Sequence, residues 1–92
     1  MREIEFTTQF QKDFKREKKN PQNKDLDQLL VGVIGYLQVN KPLSRKHLDH
    51  ALKGDYVDCR ECHIKPDLLM IYGKKGKSVL TLIRLGSHSE LF

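Results

Sequence analysis

The clearest pattern in the chain is a run of apolar residues spaced three and four positions apart in its first half. The run comprises Leu26, Leu29, Leu30, Val33, Ile34 and Leu37. This spacing predicts an amphipathic helix. Its apolar stripe is wide enough to require a sheet to cover it. Asn40-Lys41-Pro42 ends the helix, because proline disfavours helical geometry in the residue before it.

Two further elements are predicted ahead of this helix. Residues 2–6 alternate polar and apolar side chains, as a short strand does. Thr7 or Thr8 then caps a first helix in which Phe10 and Phe14 share one face. The opposite face is basic and carries Lys12, Lys15, Arg16, Lys18 and Lys19. Asn20-Pro21-Gln22-Asn23 separates the two helices, which therefore form an antiparallel pair.

The second half of the chain reads as short extended segments joined by turns. A polar connection, 43–49, leads to an extended piece at 51–53, a turn at 54–55 and strands at 56–64, 68–72 and 78–85, with turns at 65–67 and 73–76. Strands joined by short turns are antiparallel neighbours. The predicted fold class is α+β: a short N-terminal strand, two antiparallel helices and an antiparallel β-meander with the helices on one face of the sheet. At 92 residues, 1–92 form a single domain.

Composition limits the location and the partners. No apolar run approaches the ~20 residues that span a bilayer, and the N-terminus lacks a secretory signal, so we expect a cytoplasmic protein with no membrane partner. Lys and Arg number 17 against 12 Asp and Glu, for a net charge of +5. This excess favours nucleic acid or an acidic protein segment as a partner. The alternative interpretation, a solvated basic surface that binds no partner, stays open.

Cys59 and Cys62 form a single Cys-x-x-Cys pair. On a strand, residues three apart point to opposite faces, which disfavours a dithiol. Structural or incidental cysteines are the preferred interpretation, and zinc held by these two thiols, His63 and a second histidine is the alternative.

The candidate chemistry lies in Arg60-Glu61-Cys62-His63-Ile64-Lys65-Pro66-Asp67, directly before the most apolar run in the chain. Histidine exchanges protons near neutral pH, and two imidazoles suffice as acid and base in phosphodiester transesterification. RNA brings its own nucleophile, the 2′-hydroxyl, and cations stabilise the phosphorane charge. The sequence offers His50, His63 and His88 as proton carriers, and Lys53, Lys65 and Arg84 as cations. For each histidine, a surface or capping role remains the alternative.

Three blocks of the sequence together resemble the YafQ branch of the RelE-like toxins. They are Asp49-His50-Ala51-Leu52-Lys53-Gly54, the segment from Arg60 to Tyr72, and Arg84-Leu85-Gly86-Ser87-His88-Ser89-Glu90-Leu91-Phe92. The resemblance implies the toxin half of a bacterial type II toxin-antitoxin pair. It further implies a metal-independent endoribonuclease without a cofactor that cleaves messenger RNA in the ribosomal A site.

The resemblance also implies the site residues. His50, His63, Asp67 and His88 form the catalytic set, and Phe92 lies near the substrate base. Lys53 or Arg84 supports the phosphate, while Arg60 and Glu61 complete the substrate-contacting set. Glu61 stands where related toxins often have aspartate.

The implied partners are a cognate antitoxin, messenger RNA and the ribosome, with operator DNA bound only through the antitoxin complex. The alternative function is a non-enzymatic basic module that binds RNA or protein, in which the histidines merely cap turns. Phe92 has an alternative role as a core plug.

Overall fold

The computed structural model describes Met1–Phe92 and confirms an α+β fold. Its elements are β1 (Glu3–Phe6), α1 (Thr8–Lys18), α2 (Leu26–Gln38), β2 (His50–Ala51), β3 (Arg60–Lys65), β4 (Leu68–Lys75), β5 (Val79–Gly86) and α3 (His88–Leu91). Three 3₁₀ turns, Pro21–Asn23, Arg45–His47 and Gly54–Tyr56, lie between them. None of the helices has the length and apolar character needed to cross a membrane.

The two long helices form where the apolar spacing predicted them. Thr7 is the N-cap of α1, and its side chain accepts a hydrogen bond from the Phe10 N–H. In α2, Leu26, Leu30, Val33 and Leu37 are all buried. The predicted apolar stripe is therefore the surface by which α2 joins the core.

The five strands form one sheet in the order β1-β5-β4-β3-β2. Strands β2 to β5 are antiparallel neighbours, as the meander prediction requires. Strand β1 pairs with β5 in parallel, with Glu3 opposite Val79 and Phe6 opposite Leu82. This parallel pair makes the sheet mixed, a feature that the meander prediction did not contain.

Three extended segments have boundaries that differ from the prediction. The extended piece predicted at 51–53 is the shorter strand β2, His50–Ala51. The predicted strand 56–64 begins only at Arg60, because the preceding residues form tight turns: the Val57 N–H donates to the Gly54 carbonyl and the Cys59 N–H to the Tyr56 carbonyl. Strand β4 continues to Lys75, three residues into the predicted turn at 73–76. The reversal instead follows at Gly76, whose φ of 55° is the left-handed geometry that glycine adopts at little cost.

The sheet separates two apolar layers. On one face, α1 and α2 cover the main core, to which the middle strands contribute Cys62, Ile64, Met70 and Tyr72. On the other face, Leu69 and Ile71 pack with Leu91 of α3 and with partly buried residues of the 52–59 segment. Glu61 and His63 alternate with Cys62 and Ile64, so they belong to this second face. Helices α1 and α2 therefore do not cover the face with the candidate chemistry, against which the short helix α3 and the 52–59 segment pack.

A buried carboxylate joins α1 to the end of β5. Asp13 is fully buried, and its oxygens accept hydrogen bonds from Arg84 Nε at 2.8 Å, Arg16 Nη1 at 2.9 Å and the Leu85 N–H at 3.0 Å. Burial alone would raise the pKa of Asp13. The hydrogen bonds from Arg84, Leu85 and Gln9 outweigh it and lower the pKa to about 2. Asp13 is therefore ionised throughout the neutral range and holds β5 in place.

Candidate active site

Glu61 lies between two imidazoles on the face of the sheet opposite α1 and α2. His50 in β2 is directly opposite Glu61 in β3, and His63 follows two residues later on the same face. Glu61 Oε1 is 3.9 Å from His50 Nε2 and 3.7 Å from His63 Nε2. The carboxylate is buried, with 6% of its side chain exposed, whereas the side chain of His50 is 53% exposed. Both imidazoles thus direct one nitrogen towards a single shielded negative charge.

Backbone carbonyls fix the other nitrogen of each ring. His50 Nδ1 is 2.7 Å from the Leu48 carbonyl, and His63 Nδ1 is 3.3 Å from the Pro66 carbonyl. Because a carbonyl oxygen only accepts, we assign the proton of each neutral imidazole to Nδ1. Nε2 is then the nitrogen that can take up a proton.

The segment before β2 positions these groups. Leu48 adopts a left-handed backbone with φ 45° and ψ 43°, which costs a non-glycine residue about 1–2 kcal/mol and aims its carbonyl at His50. His47 Nδ1 lies 2.7 Å from the backbone carbonyl of His63 and fastens this segment to β3. Sequence reasoning placed neither residue in the site. The one available signal for His47 was that it stands three residues before His50.

A cleft of about 660 Å³ opens beside His63. It is lined by His63, Pro66, Asp67, Leu69, Ser87, His88 and Ser89. His88 reaches it from the first turn of α3, where Ser87 and Glu90 form a capping box. The structure therefore brings three of the four predicted catalytic residues to one cleft, and Glu61 links the fourth, His50, to His63. This cleft, which contains the predicted catalytic residues His63 and His88, is called the catalytic cleft below.

Aromatic rings form one wall next to this cleft. The Phe92 ring is 5.1 Å from the His88 ring and 6.1 Å, edge on, from Tyr56. Phe92 is 53% exposed, which rules out its alternative role as a core plug. Its open surface is available to stack on a planar group.

The predicted cations are not gathered at the cleft. Arg84 is bound to Asp13, and the hydrogen bond with that carboxylate raises its pKa. Arg60 points to the helix-covered face, where it is 3.3 Å from Asp49 Oδ1, so the structure does not bring it to Glu61 and His63. Lys53 is exposed and lies three residues after His50. Of these three, only Lys53 makes no ion pair, and it lies on the segment that carries His50, a predicted catalytic residue.

The cysteines lie on opposite sides of the sheet, as strand alternation predicted. Cys62 is in the main core, where burial raises the pKa of its thiol to about 12, and Cys59 packs on the opposite face. The alternative zinc site with Cys59, Cys62 and His63 is therefore not formed. More generally, no three His, Cys, Asp or Glu side chains are arranged to hold a metal ion.

Residues 2–92 match the model of the family described as the bacterial toxin of type II toxin-antitoxin systems, YafQ. The chain is 33% identical to the mRNA interferase toxin YafQ of Escherichia coli K12 over 91 residues, which cover 99% of this chain and 96% of that protein. Its fold matches a metal-bound toxin from Helicobacter pylori with a TM-score of 0.89, 52% identity and full coverage of both chains. It also matches YafQ in the E. coli DinJ-YafQ complex with a TM-score of 0.85 and 33% identity, over 100% of this chain and 99% of that one.

The fold, the histidine-lined cleft and these likenesses define an endoribonuclease toxin of a type II toxin-antitoxin system. Within that class, the chain belongs to the YafQ family, which confirms the resemblance identified from the three sequence blocks.

Proposed function

We propose that this toxin cleaves messenger RNA in the ribosomal A site through attack of the 2′-hydroxyl on the adjacent phosphate, with histidines as acid and base. The observation that carries the proposal is the convergence of His50 Nε2 and His63 Nε2 on Glu61, next to the cleft that also contains Asp67 and His88. The mRNA interferase name of the E. coli relative supports the substrate.

One imidazole accepts the 2′-hydroxyl proton at Nε2 as the 2′-oxygen bonds to phosphorus. A second imidazole, protonated, donates to the 5′-oxygen as the P–O5′ bond breaks. The products are a 2′,3′-cyclic phosphate and a 5′-hydroxyl, so no external reactant is consumed. Glu61 stabilises each imidazolium in turn, because its carboxylate lies within 4 Å of both Nε2 atoms.

The remaining predicted residues have supporting roles. Asp67 orients an imidazole from the far wall of the cleft. Phe92 stacks on a base beside the scissile phosphate, and Lys53 stabilises the phosphate charge. Arg84, which is bound to Asp13, contributes positive charge towards the phosphate. No step requires a metal or a cofactor.

The antitoxin partner is supported by the solved complex of DinJ with the E. coli relative. An acidic antitoxin segment would neutralise the basic surface that otherwise docks on ribosomal RNA, since the net charge of the toxin is +5. Operator DNA is bound through the antitoxin, and the toxin acts in the cytoplasm.

The test uses purified toxin with translating ribosomes, followed by sequencing of the cleaved message. We expect His50→Ala and His63→Ala each to lower the cleavage rate by roughly 10²–10⁴-fold, the range of general acid–base catalysis. Gln28→Ala, on the exposed surface of α2, is the control and should leave the rate unchanged. A rate that persists when both histidines are replaced would refute the histidine mechanism.

Growth arrest separates this enzyme from a toxin that only occludes the ribosome. Induction of wild type should arrest growth, while His63→Ala should not. Arrest by the wild type and by both histidine variants alike would favour the non-enzymatic binding module.

A further inference from the structure

A second cleft adjoins the catalytic cleft. Its volume is about 560 Å³, and it shares the residues Pro66, Asp67 and Ser87 with the catalytic cleft. The rest of its lining comes from the end of α1, from the turn Pro21–Asn23 and from the ends of β3 and α3. A polymer that crosses the catalytic cleft can therefore continue into this second cleft.

Both cations that line the second cleft already have partners within the protein. Lys65 Nζ donates to the Gln22 carbonyl at 2.6 Å and to Asn23 Oδ1 at 3.2 Å, and it pairs with Asp25 at 2.9 Å. Buried Asn23 in turn donates to Glu17 through its side chain. Arg16 binds both Glu17 and Glu90. These contacts leave no cation free for a phosphate.

The lining charges also disfavour an anion. Arg16 and Lys65 are outnumbered by Glu17, Asp67 and Glu90, so the lining has a net charge of −1. The side-chain amide of Gln22, which also lines this cleft, makes no hydrogen bond within the protein. The Gln22 backbone N–H donates to Asn20 Oδ1 at 3.0 Å, and this contact shapes the wall beside it. A free amide presents both a donor and an acceptor to a planar polar edge.

We propose that the second cleft binds the nucleobase of a nucleotide that flanks the scissile phosphate, and that Gln22 reads the edge of this base. The carboxylates of the lining favour the exocyclic amino groups of adenine, cytosine and guanine over the carbonyl oxygens of uracil, and the Gln22 amide oxygen accepts a hydrogen bond from the same amino group. Gln22 is then a specificity-determining residue. The assignment rests on the ribonuclease function proposed above.

The test measures cleavage of four ribosome-bound synthetic messages that differ only in one flanking nucleotide, and it is repeated for the nucleotide on the other side. Wild type should disfavour uracil at one of the two positions. In Gln22→Ala, loss of one hydrogen bond should reduce that discrimination by roughly three- to tenfold. In Gln22→Glu, which keeps the acceptor and loses the donors, the bias against uracil should increase. Gln28→Ala is the matched control outside the cleft.

The outcomes separate this assignment from the catalytic proposal. If wild type cleaves and Gln22→Ala has an unchanged base preference at both positions, the base-reading role is overturned. It is equally overturned if Gln22→Ala loses cleavage of all four messages while its melting temperature is unchanged, because a reader of one base should not be needed for all. Failure of wild type itself to cleave would instead refute the ribonuclease function.

Discussion

Replacement of Asp13 with asparagine tests how strongly helix α1 is attached to the end of strand β5. Burial raises the pKa of this carboxyl, but hydrogen bonds from Arg84, the Leu85 N–H and Gln9 outweigh burial and lower the pKa from 3.8 to about 2. At ~1.4 kcal/mol per pKa unit, this shift corresponds to about 2.5 kcal/mol of stability at neutral pH. The asparagine side chain would also turn an amide N–H₂ towards these donors, so the loss should be at least that large.

For a domain of 92 residues, each kcal/mol corresponds to roughly 4–8 °C in melting temperature. We therefore expect Asp13→Asn to melt about 10–20 °C below wild type at pH 7. The assay is urea and thermal unfolding followed by circular dichroism. The matched control is Asp27→Asn, since Asp27 pairs with Lys18 at 2.6 Å but is 63% exposed and should contribute no more than ~1 kcal/mol.

The contribution of Asp13 to the free energy of unfolding should decrease as the pH is lowered. The folded pKa of Asp13 is below its unfolded value, so the unfolded chain binds the proton more readily. The stability from Asp13 is therefore complete above pH ~4 and is lost as pH falls towards 2. The difference between wild type and Asp13→Asn should shrink across that interval. A difference below 0.5 kcal/mol at pH 7, or one that stays constant from pH 7 to pH 2, would refute the reasoning.

Two further predictions concern the aromatic wall and the cysteines. Phe92→Ala should lower RNA cleavage by roughly 5- to 150-fold, the equivalent of one base stack at about 1–3 kcal/mol, while Phe92→Tyr should preserve cleavage. A large drop in the melting temperature of Phe92→Ala would indicate a structural role instead. Burial raises the pKa of Cys62 to about 12, so iodoacetamide should modify Cys59 before Cys62 in the native protein at pH 8, and unfolding should make both thiols reactive. Mass spectrometry of the peptides measures the two rates. Equal rates in the native protein would contradict the burial of Cys62.

Local sequence patterns were sufficient to predict the two long helices and the alternation of side chains along β3. The spacing of Leu26, Leu30, Val33 and Leu37 predicted the buried face of α2, because helical periodicity is a property of neighbouring residues. Alternation along Arg60–Lys65 correctly separated Glu61 and His63 from Cys62. The histidine cluster required the family resemblance in addition, since single histidines are common on surfaces.

Contacts between distant residues could not be predicted in this way. Nothing in the local pattern around Arg84 indicates that Asp13, 71 residues earlier, would bind it. The parallel pairing of β1 with β5 is equally non-local. The turns at 54–59 were missed for a different reason. Alternating side chains there are compatible with an extended strand, but the backbone N–H groups of Val57 and Cys59 instead donate to carbonyls three residues earlier in the chain.

The pairing of β1 with β5 also determines the order in which the toxin can fold. Thr7 Oγ1 donates to the Ile83 carbonyl across 76 residues, whereas the hairpins β3-β4 and β4-β5 close over short turns. Closing the longer loop costs more chain entropy, so the hairpins should form first and β1 should dock last. Because α1 follows β1 and holds β5 and α3 through Asp13 and Arg16, the arrangement around His88 is complete only after that docking. During refolding, ribonuclease activity should therefore appear later than strand content, and a partly folded chain would be harmless to the cell that makes it.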